Sequence, residues 1–150
     1  MKEYKLTFEL VPDGCWYTNL RSVLPPKLWD KIRFEAYKKA NGRCEICGVK
    51  TSRLEAHEIW NYDEKNALQT LEGVTALCRR CHEVKHIGRT QLLGKGNDAM
   101  EHFMKVNRCT QMEFHAALAE ANEAYFRRNR VEGWVTDVTW LKDKFDIKLK

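Results

Sequence analysis

Cys44-Glu45-Ile46-Cys47 and, after thirty intervening residues, Cys78-Arg79-Arg80-Cys81 are two matched C-x-x-C pairs. Each pair sets two sulfurs on one tight turn, and two such turns supply four thiolates to one tetrahedral ion. Zinc suits that donor set. A closed four-sulfur site has no open coordination position. Cys44, Cys47, Cys78 and Cys81 are therefore expected to form a structural zinc centre that contributes to folding free energy. The alternative is one redox-active pair beside an incidental one, and the matched spacing counts against it. Cys15 and Cys109 are left over and read as ordinary thiols.

Three of the five histidines lie around these pairs. His82 and His86 are four apart, which on a helix puts both rings on one face, about one turn apart. His57 lies in Leu54-Glu55-Ala56-His57-Glu58-Ile59, an alternating stretch that reads as a strand. A strand crossing that helix would bring His57 to the ring pair. Three nitrogens with one position open describe a catalytic metal site. The plainer alternative makes His82 a cap on the knuckle and His86 a solvated surface residue.

Taken together, Cys44-x-x-Cys47-Gly48, Leu54-Glu55-Ala56-His57-Glu58-Ile59 and Ala76-Leu77-Cys78-Arg79-Arg80-Cys81-His82-x-x-x-His86 resemble the HNH endonuclease family. The resemblance implies an α+β fold with a ββα-metal unit: two strands and a helix gripping one divalent ion against a scissile phosphate. In zinc-bearing members two C-x-x-C knuckles brace that unit. It implies His57, His82 and His86 as ligands of the catalytic ion, which would be Mg, Mn, Ni or Zn. Two positions depart from the pattern. Glu58 stands where a histidine would act as general base, and Gly73 stands where the central asparagine would fall; Asn61 and Asn66 are off the expected spacing. Glutamate can activate water, but starts about two pKa units below histidine and is the weaker base. On a strand Glu58 could also point away from its neighbour. Asp63 is a second candidate base or ligand, with a polar turn as its plainer role. Trp60 is expected to pack the following loop onto the zinc knuckle.

Around this centre the chain reads as one 150-residue domain, with 43% hydrophobic and 31% charged residues. The HNH-like core would span 43–90. Tyr4, Leu6, Phe8 and Leu10 alternate with polar residues, predicting a strand over 4–11 ended by Pro12-Asp13-Gly14. A helix is predicted from about 27 to 40 and closed by Asn41-Gly42. A helical extension is expected over 98–130, with Thr110 and Glu113 forming a capping box. Trp134 to Leu141 reads as a C-terminal strand, paired with the first, and 142–150 as a flexible charged tail.

The formal charge is +5, and four thiolates with one zinc would bring it to about +3. Nucleic-acid binding would then depend on local clustering. Arg79, Arg80, Lys85 and Arg89 cluster around the histidines and are the candidate phosphate contacts, the alternative being a solvated helix face. Lys27, Lys31, Lys38 and Lys39 could extend that surface. No apolar run is long enough to cross a bilayer and no secretory leader is visible, so the expected location is the cytoplasm. Three functions follow: a metal-dependent endonuclease acting on DNA, with Glu58 as base; an inactive HNH-like zinc module that binds nucleic acid or a protein partner; and a redox or zinc-sensing protein, which the paired cysteine spacing disfavours.

Overall fold

The computed structural model describes residues 3–15 and 19–145. It is a mixed α+β arrangement with one three-stranded sheet. The helices are α1 (Leu20–Val23), α2 (Pro26–Ala40), α3 (Arg79–Lys85), α4 (Ile87–Leu92), α5 (Gly96–Asn107), α6 (Gln111–Asn129) and α7 (Thr139–Phe145). The strands are β1 (Glu55–Asp63), β2 (Leu68–Leu77) and β3 (Val135–Asp137), in the order β1-β2-β3.

β1 and β2 form an antiparallel hairpin in which His57 opposes Thr75 and Glu58 opposes Val74. The register shifts between Ile59 and Trp60, where Glu72, beside Gly73 on β2, is left unpaired as a bulge. Gly73 is buried, yet a Cβ there would meet nothing within 4 Å, so packing alone does not require glycine. β1 is longer than the alternating stretch predicted it, because Trp60-Asn61-Tyr62-Asp63 continues the strand. The turn beyond it is held by Asp63, which accepts from the Asn66 backbone N–H (3.1 Å) and side-chain amide (2.7 Å).

A hydrophobic cluster lies on each side of the sheet. Leu6, Leu77, Val84, Ile87, Phe103 and Phe114 form the first, joining the N-terminal segment to α3, α4, α5 and α6. Leu20, Leu24, Ile32, Leu71 and Leu141 form the second, joining α1, α2 and α7 to β2. α5 and α6 thus contribute to this core through Phe103 and Phe114. The Thr110–Glu113 capping box opens α6, with both reciprocal bonds present. No helix among the described residues is long and apolar enough to cross a membrane.

Two expected strands are corrected. Among the described residues the 4–11 segment joins no sheet. Its alternation instead drives Leu6 and Phe8 into the first cluster, where Phe8 stacks on Phe103 with ring centroids 4.8 Å apart. The Asn107 side chain takes the place of a neighbouring strand: its Oδ1 accepts from Leu6 N–H (2.9 Å) and its Nδ2 donates to Leu6 C=O (2.8 Å). Farther along, Glu9 N–H donates to Lys85 C=O (2.9 Å). The 134–141 strand is only Val135–Asp137, and it pairs in parallel with β2. Asp137 stops it by accepting from both the backbone N–H and the hydroxyl of Thr139 (2.9 and 2.6 Å), which starts α7. The tail expected over 142–150 is helical through Phe145, and residues 146–150 lie outside those described.

Phe103 is fully buried at the meeting of Tyr4, Phe8 and Phe114. Phe103→Ala is expected to cost about 3–5 kcal/mol in urea unfolding. It should also expose amides of the 4–10 segment to faster hydrogen exchange, because that segment has no sheet to hold it.

Candidate metal centres and cleft

The four knuckle cysteines meet at one point. Cys44, Cys47, Cys78 and Cys81 present sulfurs all within 4.8 Å of one another and could hold a metal ion. The first knuckle is a turn in which Gly48 N–H donates to Cys44 C=O (2.9 Å) and Cys44 N–H to Val49 C=O (2.9 Å). Gly48 has φ +78°, where a side chain would be strained, so glycine is needed directly after the second cysteine. In the second knuckle Cys78 is the N-cap of α3, its sulfur accepting from Cys81 N–H at 3.4 Å. The two knuckles are joined through β2: Ala76 N–H donates to the Glu45 carboxylate (2.9 Å), and Glu45 N–H donates to Ala76 C=O (3.0 Å).

Donor chemistry here fits zinc. Sγ of Cys47 and Cys78 are 3.7 Å apart. The edge of a tetrahedron with Zn–S bonds of about 2.3 Å is about 3.8 Å. Without a cation the sulfurs cannot all ionise. Hydrogen bonds from Cys78 and Cys81 lower the Cys44 thiol, and the same bonds, with burial, hold Cys81 up and push Cys78 up to about 11. A dication removes that conflict. His102 of α5, which carries no motif in the sequence, places Nε2 3.2 Å from Cys81 Sγ.

The histidines converge separately. His57 is 4% exposed on β1; His82 lies on α3 and His86 is its C-cap. One ligand atom of each falls within 4.8 Å of the other two. The carboxylate of Glu55 can only accept, so His82 Nδ1–H donates to it, at 2.8 Å. In neutral His82 the Nε2 atom then carries the lone pair, and it faces His86 Nε2 at 3.2 Å. Two nitrogens bound to one tetrahedral ion at about 2.0–2.1 Å would be about 3.4 Å apart. Burial lowers the pKa of His82 against the opposing pull of Glu55, and burial with the nearby His82 takes His86 down to about 4. Both rings are therefore neutral at pH 7, the form that ligates.

Glu9, from the N-terminal segment, contacts His57 Nε2 with one carboxylate oxygen. Its other oxygen accepts from Lys85 Nζ (3.1 Å), which also donates to Thr7 Oγ1 (2.9 Å). Burial alone would raise the Glu9 pKa, but His57 and Lys85 outweigh it and hold the carboxyl below its ordinary range. Lys85 is only 6% exposed, so its place among the candidate phosphate contacts is corrected: the ammonium serves Glu9.

Glu58 does not stand beside the rings. Neighbours on a strand face opposite sides, and Glu58 turns toward the second cluster. There it accepts from Leu20 N–H (2.9 Å), which tethers the start of α1, and from Trp60 Nε1–H (2.9 Å). Burial raises its pKa. Trp60 packs on this second cluster, not on the zinc knuckle. Asp63, six residues beyond His57, is roughly 20 Å along the strand and belongs to the hairpin turn.

A cleft of about 1530 Å³ runs along the open edge of β1, lined by residues from both faces of that strand. His57, His82, His86 and Arg89 face it, as do Trp29 and Arg33 of α2. Arg79 and Arg80 lie elsewhere, exposed beside a smaller cavity with Glu83, Lys95 and His102. The predicted basic cluster is thus divided, with Arg89 alone of the four on the histidine cleft. Lys27, Lys31, Lys38 and Lys39 are exposed on α2. Comparison with protein-family models, curated proteins and solved structures finds no match for the chain.

Two outcomes are expected. Purified protein should carry one tightly held zinc, lost in Cys78→Ser with a fall in thermal midpoint, as measured by a colorimetric zinc assay and calorimetry. With the histidine site metal-free, the folded pKa values of His82 and His86 lie below the unfolded value, so the unfolded chain binds more protons below about pH 6.5. Stability should therefore be full above that pH and fall steadily toward pH 4, as read from urea midpoints.

Proposed function

We propose that the chain is a metal-dependent phosphodiester hydrolase of the HNH type acting on DNA. The observation that carries this reading is the convergence of His57, His82 and His86 on a cleft, with the His82 tautomer set by Glu55 so that its Nε2 lone pair points at the partner ring. The order of elements supports it: a hairpin supplies His57, the following helix and its C-cap supply the other two, and a cysteine of the four-sulfur cluster caps that helix at its N-terminus.

In this reading the first centre is structural zinc and the second holds a divalent ion. Such an ion would stabilise charge on the scissile phosphate as a Lewis acid. The chain's own groups bind and orient. His57, His82 and His86 hold the ion at the cleft, and Arg89 meets the phosphate backbone along it. Glu58 is the proposed proton acceptor: besides its bonds from the Leu20 and Arg21 backbone and from Trp60, an ionised carboxylate has a further acceptor site, and burial raises its pKa.

A second reading is favoured by one observation, that the Glu58 carboxylate already tethers α1 from the opposite face of β1. The chain would then be a zinc-braced module that binds nucleic acid or a protein partner without cleaving.

Plasmid nicking by protein that keeps its cysteine-bound zinc but has a metal-free histidine site, resupplied with Mg, Mn, Ni or Zn, separates the two. The hydrolase reading expects metal-dependent nicking abolished by His82→Ala and reduced about 10²–10⁴-fold by Glu58→Gln. Nicking that survives Glu58→Gln would keep the enzyme and remove Glu58 as base. No nicking with any metal, from folded protein retaining its zinc, would leave the binding module.

A further inference from the structure

We infer that Glu9 is a positioning residue of the histidine centre: by accepting a hydrogen bond from His57 Nε2–H, it leaves the His57 Nδ1 lone pair to face the metal. The inference rests on the reading of His57, His82 and His86 as a metal site and extends it to the N-terminal segment, which no motif connects to that site.

The geometry is as follows. A carboxylate cannot donate, so the Glu9–His57 contact requires the proton on Nε2 in neutral His57. Glu55 imposes the opposite tautomer on His82, with the proton on Nδ1. His57 and His82 thus each have one nitrogen engaged by a carboxylate, and the other His82 nitrogen, Nε2, faces His86 Nε2 at 3.2 Å. Metal-ligating histidines characteristically donate their second ring N–H in this way, which fixes ring orientation and raises ligand basicity.

Glu9 is itself held from three directions. Its backbone N–H donates to Lys85 C=O (2.9 Å), its second oxygen accepts from Lys85 Nζ, and Phe8 before it is stacked on Phe103. Lys85 in turn is oriented by Thr7 Oγ1. Because Lys85 lies on α3 between His82 and His86, the same turn of helix that carries two ligands also anchors the carboxylate serving the third. The buried Lys85 offsets the charge of Glu9, so the pair is neutral before a cation arrives. Removing Lys85 would leave Glu9 fully available to attract one.

Two measurements test this. In ¹⁵N spectra of zinc-loaded wild-type protein with a metal-free histidine site, His57 should show the Nε2–H tautomer and His82 the Nδ1–H tautomer. A His57 Nδ1–H tautomer overturns the assignment. Calorimetric titration of the same protein with Ni²⁺ should then show one added ion per chain. Glu9→Gln and Glu9→Ala should weaken it about 10–100-fold, while Lys85→Met should bind it as tightly or more tightly. A purely structural role would weaken binding in the Lys85 and Glu9 variants alike, or in neither. Unchanged affinity in Glu9→Ala overturns the proposal while leaving the metal site intact. Wild-type protein that takes up no second ion overturns the metal site itself, and the proposed function with it.

Discussion

Four sulfurs gathered within 4.8 Å impose the constraint on which the rest depends. Residues 44–47 and 78–81 flank the β1–β2 hairpin, so joining the knuckles closes the loop that contains it. Cys78 is also the N-cap of α3, which sets where that helix begins. His82 and His86 follow at fixed offsets from that start. The hairpin's open end and the helix's first turn share one anchor, and His57 is brought to the histidine pair as a consequence. A zinc ion held by these sulfurs would supply folding free energy and also precision in a neighbouring centre.

Local hydrogen bonds show where backbone groups go when no strand is at hand. The 4–11 segment has the period-two pattern of a strand, but the positions beside it are occupied by α3, α4 and α5. Asn107 satisfies Leu6 with one amide, and Lys85 C=O satisfies Glu9. The segment is consequently pinned at a few points rather than along a ladder. Its burial at Phe8 and its ionic contact at Glu9 make it part of the histidine centre.

Position at the sheet edge decides the shape of the site. β1 has a partner on one side only, so its open edge becomes the floor of a cleft walled by α2 and the N-terminal segment. Side chains from both faces of β1 reach the same cleft, which is how His57 and Glu58 can line one space while pointing to opposite sides of the strand. Arg89 lies on this cleft, whereas Arg79 and Arg80, closer in sequence to the cysteines, lie beside another cavity.

The sequence by itself determined the parts governed by short-range spacing. Two C-x-x-C pairs announce a four-sulfur cluster, an i, i+4 histidine pair announces two rings on one face, and Thr110 with Glu113 announces a helix start. Each depends only on local backbone geometry. Tertiary structure alone decided which strand-like segments found partners, because periodicity records burial on one face and says nothing about the neighbouring chain. It likewise decided the charges. Lys85 and Arg89 look equivalent in sequence, yet one is buried against Glu9 and the other faces the cleft. Glu9 and His102 carry no motif, since their partners lie 48 and 21 residues away, and only packing brings them to His57 and Cys81.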